Sequence, residues 1–141
     1  MGDIYTNMVC IAGSRNVSDE EFVLETCKDI LREAGDTAVL INGGARGVDK
    51  IAQKAAVSKG IPVLLYLPDW STHGKGAGPI RNKQMVADAN EVHIIWDLNS
   101  RGTAHTARTA YDAGKLTSVS IIPTKPHVVQ PEHSDQESTA V

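Results

Sequence analysis

A glycine-rich, basic stretch at residues 65–85 holds the side chains that are best suited to bind an anion. Its glycines allow a ligand to approach the backbone closely, and its proline is typical of the first turn of a helix. Free amides at a helix start favour phosphate, and nearby cations strengthen that preference. The stretch predicts one wall of an anion-binding cleft, and the alternative is a flexible connection whose basic residues face water. The residues concerned are Gly74, Lys75, Gly76, Gly78, Pro79 and Arg81.

Three other turns also combine glycine with arginine, and each follows an apolar run typical of a strand. The ligand of a doubly wound sheet lies beyond the carboxyl ends of its strands, so these four turns are expected to meet along one edge. This convergence favours the anion-binding cleft over the flexible connection. The three turns are Gly13-Ser14-Arg15, Gly43-Gly44-Ala45-Arg46-Gly47 and Arg101-Gly102-Thr103.

Two common phosphate-binding motifs do not match these turns. The turn after Asn42 lacks the Gly-Lys-Ser/Thr ending of a Walker motif, which disfavours an NTPase. Its glycines, Gly43, Gly44 and Gly47, also have the wrong spacing for the dinucleotide fingerprint G-x-G-x-x-G. A different arrangement of phosphate-binding groups is therefore expected.

Asp49 is the carboxylate best placed for acid–base chemistry, because it follows the double-glycine turn near a helix start. The alternative is that Asp49 caps the helix or pairs with Arg46 or Lys50. Two more residues each have two alternative roles. Ser14 either donates to phosphate or only shapes its turn, and Trp70 either stacks on a base or anchors the long loop.

The distribution of charge favours a small anion over a nucleic acid. The 141-residue chain has a net charge of −3, with 41% hydrophobic and 22% charged residues, which suits one globular domain. Six acidic residues fall in a predicted helix at residues 18–34, whereas basic residues concentrate in the glycine-rich turns. A long polyanion would meet this acidic surface as well as the basic cleft.

No histidine or cysteine cluster has the spacing of metal ligands, so neither a metal nor another cofactor is expected. Cys10 and Cys27 fall on apolar faces and are expected to be buried, unpaired thiols. No run approaches the roughly 20 apolar residues of a membrane helix, and the N-terminus has no basic region followed by an apolar one. We therefore expect a cytoplasmic protein without a membrane partner.

Strands and helices are predicted to alternate along the chain. Apolar runs predict strands at residues 8–13, 37–41, 61–67, 91–96 and 117–122. Helical periodicity predicts helices at 18–34, from 48 to before Gly60, at 80–89 and at 104–113, the first one capped by Ser18 with Glu21. This alternation implies right-handed crossovers and a parallel sheet covered on both faces. The predicted fold class is α/β, with one Rossmann-like, three-layer domain over residues 1–122 and about five strands.

Residues 123–141 differ in composition from this domain. They contain three prolines and many polar residues, and they show no periodicity. We expect them to form a disordered C-terminal tail.

Taken together, these motifs resemble the YspA/YpsA-related branch of the SLOG superfamily. The resemblance covers about residues 8–122, and Ala77-Gly78-Pro79-Ile80-Arg81-Asn82 is its most specific part. It implies a Rossmann-like domain that binds nucleotides or nucleotide-derived ligands, and small members of this branch also occur in phages. The other segments that carry it are Gly13-Ser14-Arg15, the run from Asn42 to Asp49, Trp70, Gly74-Lys75, Met85 and Arg101-Gly102-Thr103.

The chain departs from this superfamily at one catalytic position. The superfamily includes the LOG-type cytokinin-activating hydrolases and the DNA-processing protein DprA. LOG hydrolases carry a PGGxGTxxE segment whose glutamate acts on the ribosyl bond. The matching segment here is LNSRGTAHT, in which Thr106 occupies the position of that glutamate. The missing carboxylate favours ligand binding over turnover.

We therefore expect a homo-oligomeric protein that senses or sequesters a nucleotide-derived small molecule, such as a nucleoside phosphate or an ADP-ribose-like ligand. An N-glycosidic-bond hydrolase or transferase is the alternative. DprA-like single-stranded DNA binding is a second alternative, which the acidic balance and the aromatic content of 4% disfavour. The ligand-binding candidates are Gly13, Ser14, Arg15, Gly43, Gly44, Arg46, Trp70, Lys75, Gly78, Arg81, Asn82, Arg101, Gly102 and Thr103, with Asp49 as the catalytic candidate.

Overall fold

The computed structural model describes residues 5–124, 130 and 131. Five parallel strands form one sheet in the order β3-β2-β1-β4-β5. This is the topology of an open, doubly wound sheet, in which ligands bind where the strand order reverses, here between β1 and β4. The predicted α/β class and the sheet of about five parallel strands are confirmed. The strands are β1 (Asn7–Gly13), β2 (Ala38–Asn42), β3 (Val63–Leu65), β4 (Glu91–Trp96) and β5 (Leu116–Ile121).

Helices connect consecutive strands and cover both faces of the sheet. One apolar cluster joins the sheet to α1 and α2, and a second joins it to α4 and α5. A 3-10 turn at Gly74–Gly76 links the short α3 to α4. The helices are α1 (Glu20–Ala34), α2 (Val48–Ser58), α3 (Trp70–His73), α4 (Ala77–Asp88) and α5 (Arg101–Asp112).

Alternate residues of β1 face the two helix pairs, as the pleat of a strand requires. Val9 and Ile11 pack in the cluster under α1 and α2. Cys10 and Ala12 pack in the opposite cluster under α4 and α5. The central strands are therefore buried on both faces, which is why they appear in the sequence as continuous apolar runs.

Both cysteines are buried and unpaired, as the sequence predicts. Cys10 lies in β1, and Cys27 lies on the inner face of α1. Burial raises the pKa of each thiol to about 12. Both therefore stay protonated at neutral pH and act as small apolar side chains.

The start of α1 differs from its prediction. Asp19 is the N-cap, and its carboxylate accepts a hydrogen bond from the amide of Phe22 at 3.0 Å. Ser18 instead donates its hydroxyl to the carbonyl oxygen of Pro123, also at 3.0 Å. The predicted capping box of Ser18 with Glu21 is therefore wrong, because a partner distant in sequence takes the serine hydroxyl.

The glycine-rich stretch after β3 is more helical than predicted. Helix α4 begins at Ala77 rather than at residue 80, and α3 with the 3-10 turn occupies the predicted loop. Asp69 caps α3 by accepting a hydrogen bond from the amide of Thr72 at 3.2 Å. A local capping side chain thus forms a helical turn where the glycines predict an open loop.

Helix α5 also begins earlier than predicted, at Arg101. Ser100 is its N-cap, and the serine hydroxyl oxygen accepts a hydrogen bond from the amide of Thr103 at 3.3 Å. The predicted polar turn at residues 101–103 is therefore the first turn of a helix. Gly102 lies in that turn and has open space where a β-carbon would be.

The predicted domain ends at residue 122, and Ile122 is still part of the first apolar cluster, with 2% of its surface exposed. Apart from residues 123, 124, 130 and 131, the predicted disordered tail lies outside the described residues.

Gly47 and Gly60 provide a matched test of the packing at the carboxyl edge. Both have a positive φ, of 80° and 72°, but only a β-carbon at Gly47 would overlap other atoms, the carbonyl oxygens of Ser14 and Arg15. We expect Gly60→Ala to lower the free energy of unfolding by about 1 kcal/mol and Gly47→Ala by about 3 kcal/mol, because the second change adds steric overlap to backbone strain. Urea unfolding of both variants measures the difference, and equal losses would contradict this account.

Candidate ligand-binding site

A small cavity lies at the carboxyl edge of the sheet, beside the point where the strand order reverses. Its volume is about 70 Å³, and its walls come from the end of β1, the region around the start of α2, and α4 and α5. Helix N-termini and the carboxyl ends of parallel strands are favourable surroundings for negative charge. The cavity brings together several of the predicted ligand residues, among them Gly13, Arg15, Arg81, Asn82, Gly102 and Thr103.

Asp49 lines this cavity and is 6% exposed. Its Oδ2 accepts a hydrogen bond from the amide of Ala45 at 3.1 Å. Burial raises the pKa of Asp49 from 3.8 to about 6, although the Ala45 amide and the Arg81 guanidinium partly offset that effect. No ion pair joins Asp49 to Arg46 or Lys50 in the described part of the chain. The site thus contains a buried carboxyl group that changes its charge close to neutral pH.

Asn42 shapes the double-glycine turn that precedes Asp49. Its side chain is fully buried, with Nδ2 donating to the carbonyl oxygen of Asp49 at 3.0 Å and Oδ1 accepting from the amide of Gly44 at 3.1 Å. Gly44 has a φ of 69°, which glycine adopts without strain. No role of its own was predicted for Asn42, although an asparagine between an apolar strand and two glycines is a typical turn former.

Arg81 joins α4 to the ends of β2 and β3. Its Nη1 donates to the carbonyl oxygens of Gly43, at 3.1 Å, and Tyr66, at 3.2 Å. A β-carbon on Gly43 would overlap the guanidinium, so the close contact requires glycine there. Partial burial lowers the pKa of Arg81. Within residues 5–124, 130 and 131, no hydrogen bond uses Nη2, which leaves this nitrogen able to donate to a ligand.

The side chain of Asn82 is oriented by its neighbours on both sides. Its Oδ1 accepts a hydrogen bond from Nε of Arg81 at 3.0 Å, so its amide nitrogen must face His105. That nitrogen lies 3.2 Å from Nδ1 of His105 and donates to it, which assigns the proton of a neutral His105 ring to Nε2. Arg81, Asn82 and His105 therefore form one hydrogen-bonded chain from α4 to α5.

Ser14 and Asp97 link the ends of β1 and β4. The fully buried Ser14 hydroxyl donates to Oδ1 of Asp97 at 2.8 Å and accepts from the Asp97 amide at 2.9 Å. The same Oδ1 accepts from the amides of Asn99 and Ser100. Burial alone would raise the pKa of Asp97, but these hydrogen bonds together lower it. Of the two roles considered for Ser14, donation to phosphate and shaping of its turn, these bonds favour the second, because the hydroxyl is already bonded inside the protein.

A wider groove adjoins the small cavity at Arg15. It has a volume of about 790 Å³, with Arg15, Arg46 and Lys50 in its walls, and a neighbouring space of about 230 Å³ shares Arg15 and Arg46. All three side chains are exposed, and none forms an ion pair with the described residues. Glu20 and Asp97 also line the larger space. We call the surface formed by Arg15, Arg46 and Lys50 the cationic groove.

Seven predicted ligand residues line neither the small cavity nor the cationic groove, namely Ser14, Gly43, Gly44, Trp70, Lys75, Gly78 and Arg101. Trp70 is 55% exposed at the start of α3, with its ring near Gly78. Lys75 lies in the exposed 3-10 turn, and Arg101 is exposed at the start of α5. The predicted cleft wall at residues 65–85 therefore contributes to the small cavity through α4, not through its glycine-rich turn.

Lys50, Asn99 and Ser100 line these spaces but were not among the predicted site residues. The signal for the last two was the run of polar residues directly after β4. No sequence pattern marks Lys50 as a site residue, because a lysine in the first turn of an amphipathic helix usually faces water.

The described residues lack two other kinds of feature. No group of three or more histidine, cysteine or acidic side chains is placed to hold a metal ion in that part of the chain. None of its helices combines the length and the apolar character needed to cross a membrane.

Solved structures with the same fold include two DNA-processing proteins. DNA processing protein A from Helicobacter pylori, described for its single-stranded DNA binding mode, aligns with a TM-score of 0.63 at 23% identity and covers 84% of this chain. The protein of the same name from Streptococcus pneumoniae aligns with a TM-score of 0.66 at 18% identity, over 84% of this chain. This chain spans 66% and 51% of those two chains. TM1055 has a TM-score of 0.60 at 22% identity, over 78% of this chain and 71% of that one. These likenesses establish the fold.

A closer sequence relationship identifies the family. Gene 61 protein of Mycobacterium phage D29 is 38% identical over 112 residues, which cover 75% of this chain and 90% of the phage protein. Residues 8–73 match the model of the YspA, cpYpsA-related SLOG family, and they include the end of β1 and the double-glycine turn described above. The chain belongs to the YspA, cpYpsA-related SLOG family.

Proposed function

We propose that this protein binds a nucleotide-derived anion, such as a nucleoside phosphate or an ADP-ribose-like molecule, in the cationic groove. The observation that carries the proposal is the meeting of Arg15, Arg46 and Lys50 around one groove with no ion-pair partner in the described residues. Unpaired cations beside helix N-termini at the switch point of a parallel sheet favour phosphate groups. Family membership supports a nucleotide-related ligand.

The sizes of the two spaces indicate how such a ligand would lie. The small cavity, at about 70 Å³, is far below the roughly 300–1,000 Å³ typical of ligand pockets. The cationic groove, at about 790 Å³, is within that range. We infer that the ligand lies in the groove and extends one small polar group, such as a ribose hydroxyl, toward Asp49 and Asn82.

The side chains at the edge favour binding over turnover. Thr106, at the position of the LOG glutamate, is 2% exposed, and its hydroxyl donates to the carbonyl oxygen of Gly102 at 3.1 Å. It offers neither a carboxylate base nor a negative charge to stabilise an oxocarbenium ion. Asp49 has a pKa suited to acid–base chemistry, but its carboxylate is bonded to the Ala45 amide and it faces only the small cavity.

Replacing a groove cation tests phosphate binding directly. We expect Arg46→Ala to weaken the binding of a phosphorylated nucleoside by about ten-fold or more, because a charge-assisted hydrogen bond contributes about 1.5–3 kcal/mol. The affinity for the unphosphorylated nucleoside should not change. Lys54→Ala is the matched control, since Lys54 is an exposed cation of α2 outside the groove. Isothermal titration calorimetry measures both variants. Equal weakening of binding by Arg46→Ala and Lys54→Ala would refute phosphate binding in the groove. Equal weakening of the phosphorylated and the unphosphorylated nucleoside by Arg46→Ala would refute it as well.

The pH dependence of stability tests the buried state of Asp49. Its pKa is raised on folding from 3.8 to about 6, so the folded state retains a proton that the unfolded chain releases. The resulting stabilisation is fully present below about pH 4 and is lost as the pH rises through about 6. Asp49→Asn should remove this loss. The free energy of unfolding of the variant should therefore rise relative to that of wild type by up to about 3 kcal/mol between pH 4 and 7. Urea unfolding measures the free energy of unfolding of both proteins as a function of pH. If the two values change in parallel, Asp49 titrates normally.

A turnover assay separates binding from catalysis. We expect intact ligand after incubation of the protein with nucleoside monophosphates or ADP-ribose, because Thr106 stands in place of the LOG glutamate and Asp49 faces only the small cavity. Chromatography of free base and ribose phosphate provides the readout. Multiple-turnover release of base that disappears in Asp49→Asn would establish the hydrolase alternative instead.

Single-stranded DNA binding is a second candidate function, and the exposed ring of Trp70 favours it. Trp70 lies close in sequence to the exposed Lys75, and strand-binding proteins combine stacking rings with cations. The fold is also shared with DNA processing protein A, so the expected absence of a nucleic-acid partner remains a prediction. Fluorescence anisotropy with an oligothymidylate decides between the candidates. Salt-sensitive binding that is lost in Trp70→Ala and persists in Arg46→Ala would favour the DNA function.

A further inference from the structure

Four hydrogen-bonded polar side chains connect β1, β4 and β5 near the amino ends of these strands. The central one is His93 of β4, which is 7% exposed. Its Nε2 lies 2.6 Å from Oε1 of Glu91, and its Nδ1 lies 2.7 Å from Oγ of Ser118 in β5. Glu91 also accepts a hydrogen bond at Oε2 from Nδ2 of Asn7, at 3.1 Å. None of the four lines the small cavity or the cationic groove, so they form a separate cluster.

A register shift between β4 and β5 brings Ser118 to His93. Val92 lies opposite Leu116. The next residue, His93, lies opposite Ser118 and not Thr117, which is therefore an extra residue of β5. In a regular ladder Thr117 would lie beside His93, and the side chain of Ser118 would point to the opposite face of the sheet. Irregularities of this kind re-aim side chains and are over-represented next to active sites.

The carboxylate of Glu91 fixes the tautomer of the His93 ring. An ionised carboxylate only accepts, so the proton of a neutral ring lies on Nε2 and is donated to Oε1. Nδ1 is then unprotonated, and the Ser118 hydroxyl donates to it. Asn7 holds the carboxylate, because its Nδ2 donates both to Oε2 and to the carbonyl oxygen of Ala34 at the end of α1. A basic ring nitrogen is thus directed at the serine.

A serine, a histidine and a carboxylate in this order form the arrangement that activates a hydroxyl. A serine hydroxyl is a weak nucleophile until an adjacent base takes its proton, and a third group orients that base. Such sets are recognised by geometry and roles rather than by sequence position. Here Ser118 has the hydroxyl, His93 is the base and Glu91 orients it. Ser118 is also partly exposed, so a small electrophile can reach it.

We propose that Ser118 is a nucleophilic serine that is acylated by small activated esters. Its Oγ forms a bond to the acyl carbon while the hydroxyl proton passes to Nδ1 of His93. The bond from the acyl carbon to the leaving oxygen then breaks, and the leaving group takes that proton from Nδ1. His93 returns to its neutral state, and Ser118 carries the acyl group as an ester. Glu91 is a positioning residue, which holds the ring in the productive tautomer.

Ser120 is a matched control within the same strand. It lies two residues after Ser118 and is also partly exposed, but its partner in β4 is Ile95, which has no base. Hydroxyl chemistry and strand position alone would make the two serines equally reactive. A difference in rate between them therefore measures what His93 contributes.

Labelling of the intact protein with a fluorophosphonate tests this proposal, since its adduct on an activated serine is stable. The Oγ–P bond forms as the P–F bond breaks, and the hydroxyl proton leaves with fluoride. Digestion and peptide fragmentation then locate the adduct. We expect Ser118 to react at least about 100-fold faster than Ser120, because a general base contributes roughly 10²–10⁴-fold. Equal labelling of the two serines, or none at Ser118, would overturn the proposal.

Substitutions of the two supporting residues separate activation from a structural role. His93→Gln removes the base and should slow the labelling of Ser118 about 100-fold. Glu91→Gln should slow it as well. Asn7 would bind the glutamine oxygen, so the amide nitrogen would donate to Nε2 of His93 and the ring proton would move to Nδ1.

The control variant is Ser120→Ala, in which Ser118 should be labelled as in wild type. Circular dichroism of each variant distinguishes loss of the base from loss of the fold. Labelling of Ser118 that continues at the wild-type rate in a folded His93→Gln protein would refute the role of His93 as the base.

Discussion

The contact of one half-buried guanidinium with two backbone carbonyls determines the shape of the carboxyl edge. Arg81 extends from α4 to the carbonyl oxygens of Gly43 and Tyr66, which follow β2 and β3. A partly buried charge needs acceptors, and backbone carbonyls at strand ends supply them without a second charged side chain. Because the guanidinium lies against the backbone, a side chain at residue 43 would displace it. Three segments distant in sequence are thereby fixed around the small cavity.

Because of this contact, the basic residues at the carboxyl edge fall into two groups. Arg81 is largely committed to the protein, so it holds the double-glycine turn and partly offsets the rise that burial causes in the pKa of the nearby Asp49. Arg15, Arg46 and Lys50 have no ion-pair partner in the described residues, so their charge is available to a ligand. We therefore propose that the outer cations bind phosphate and that the inner arginine supports the edge.

The sequence by itself determined the α/β class, the order of the elements and the two buried cysteines, because these follow from local apolar periodicity. It also singled out Arg81, Asn82 and Asp49, which the structure brings to one small cavity. Only the tertiary structure decided how those residues are used, since the partners of Ser14, Ser18 and Arg81 lie tens of residues away. The helix start at Arg101 was mispredicted because the Ser100 cap outweighed the glycine signal, whereas α4 begins at Ala77 without a side-chain cap. The strand order is a property of long-range pairing that no local pattern encodes.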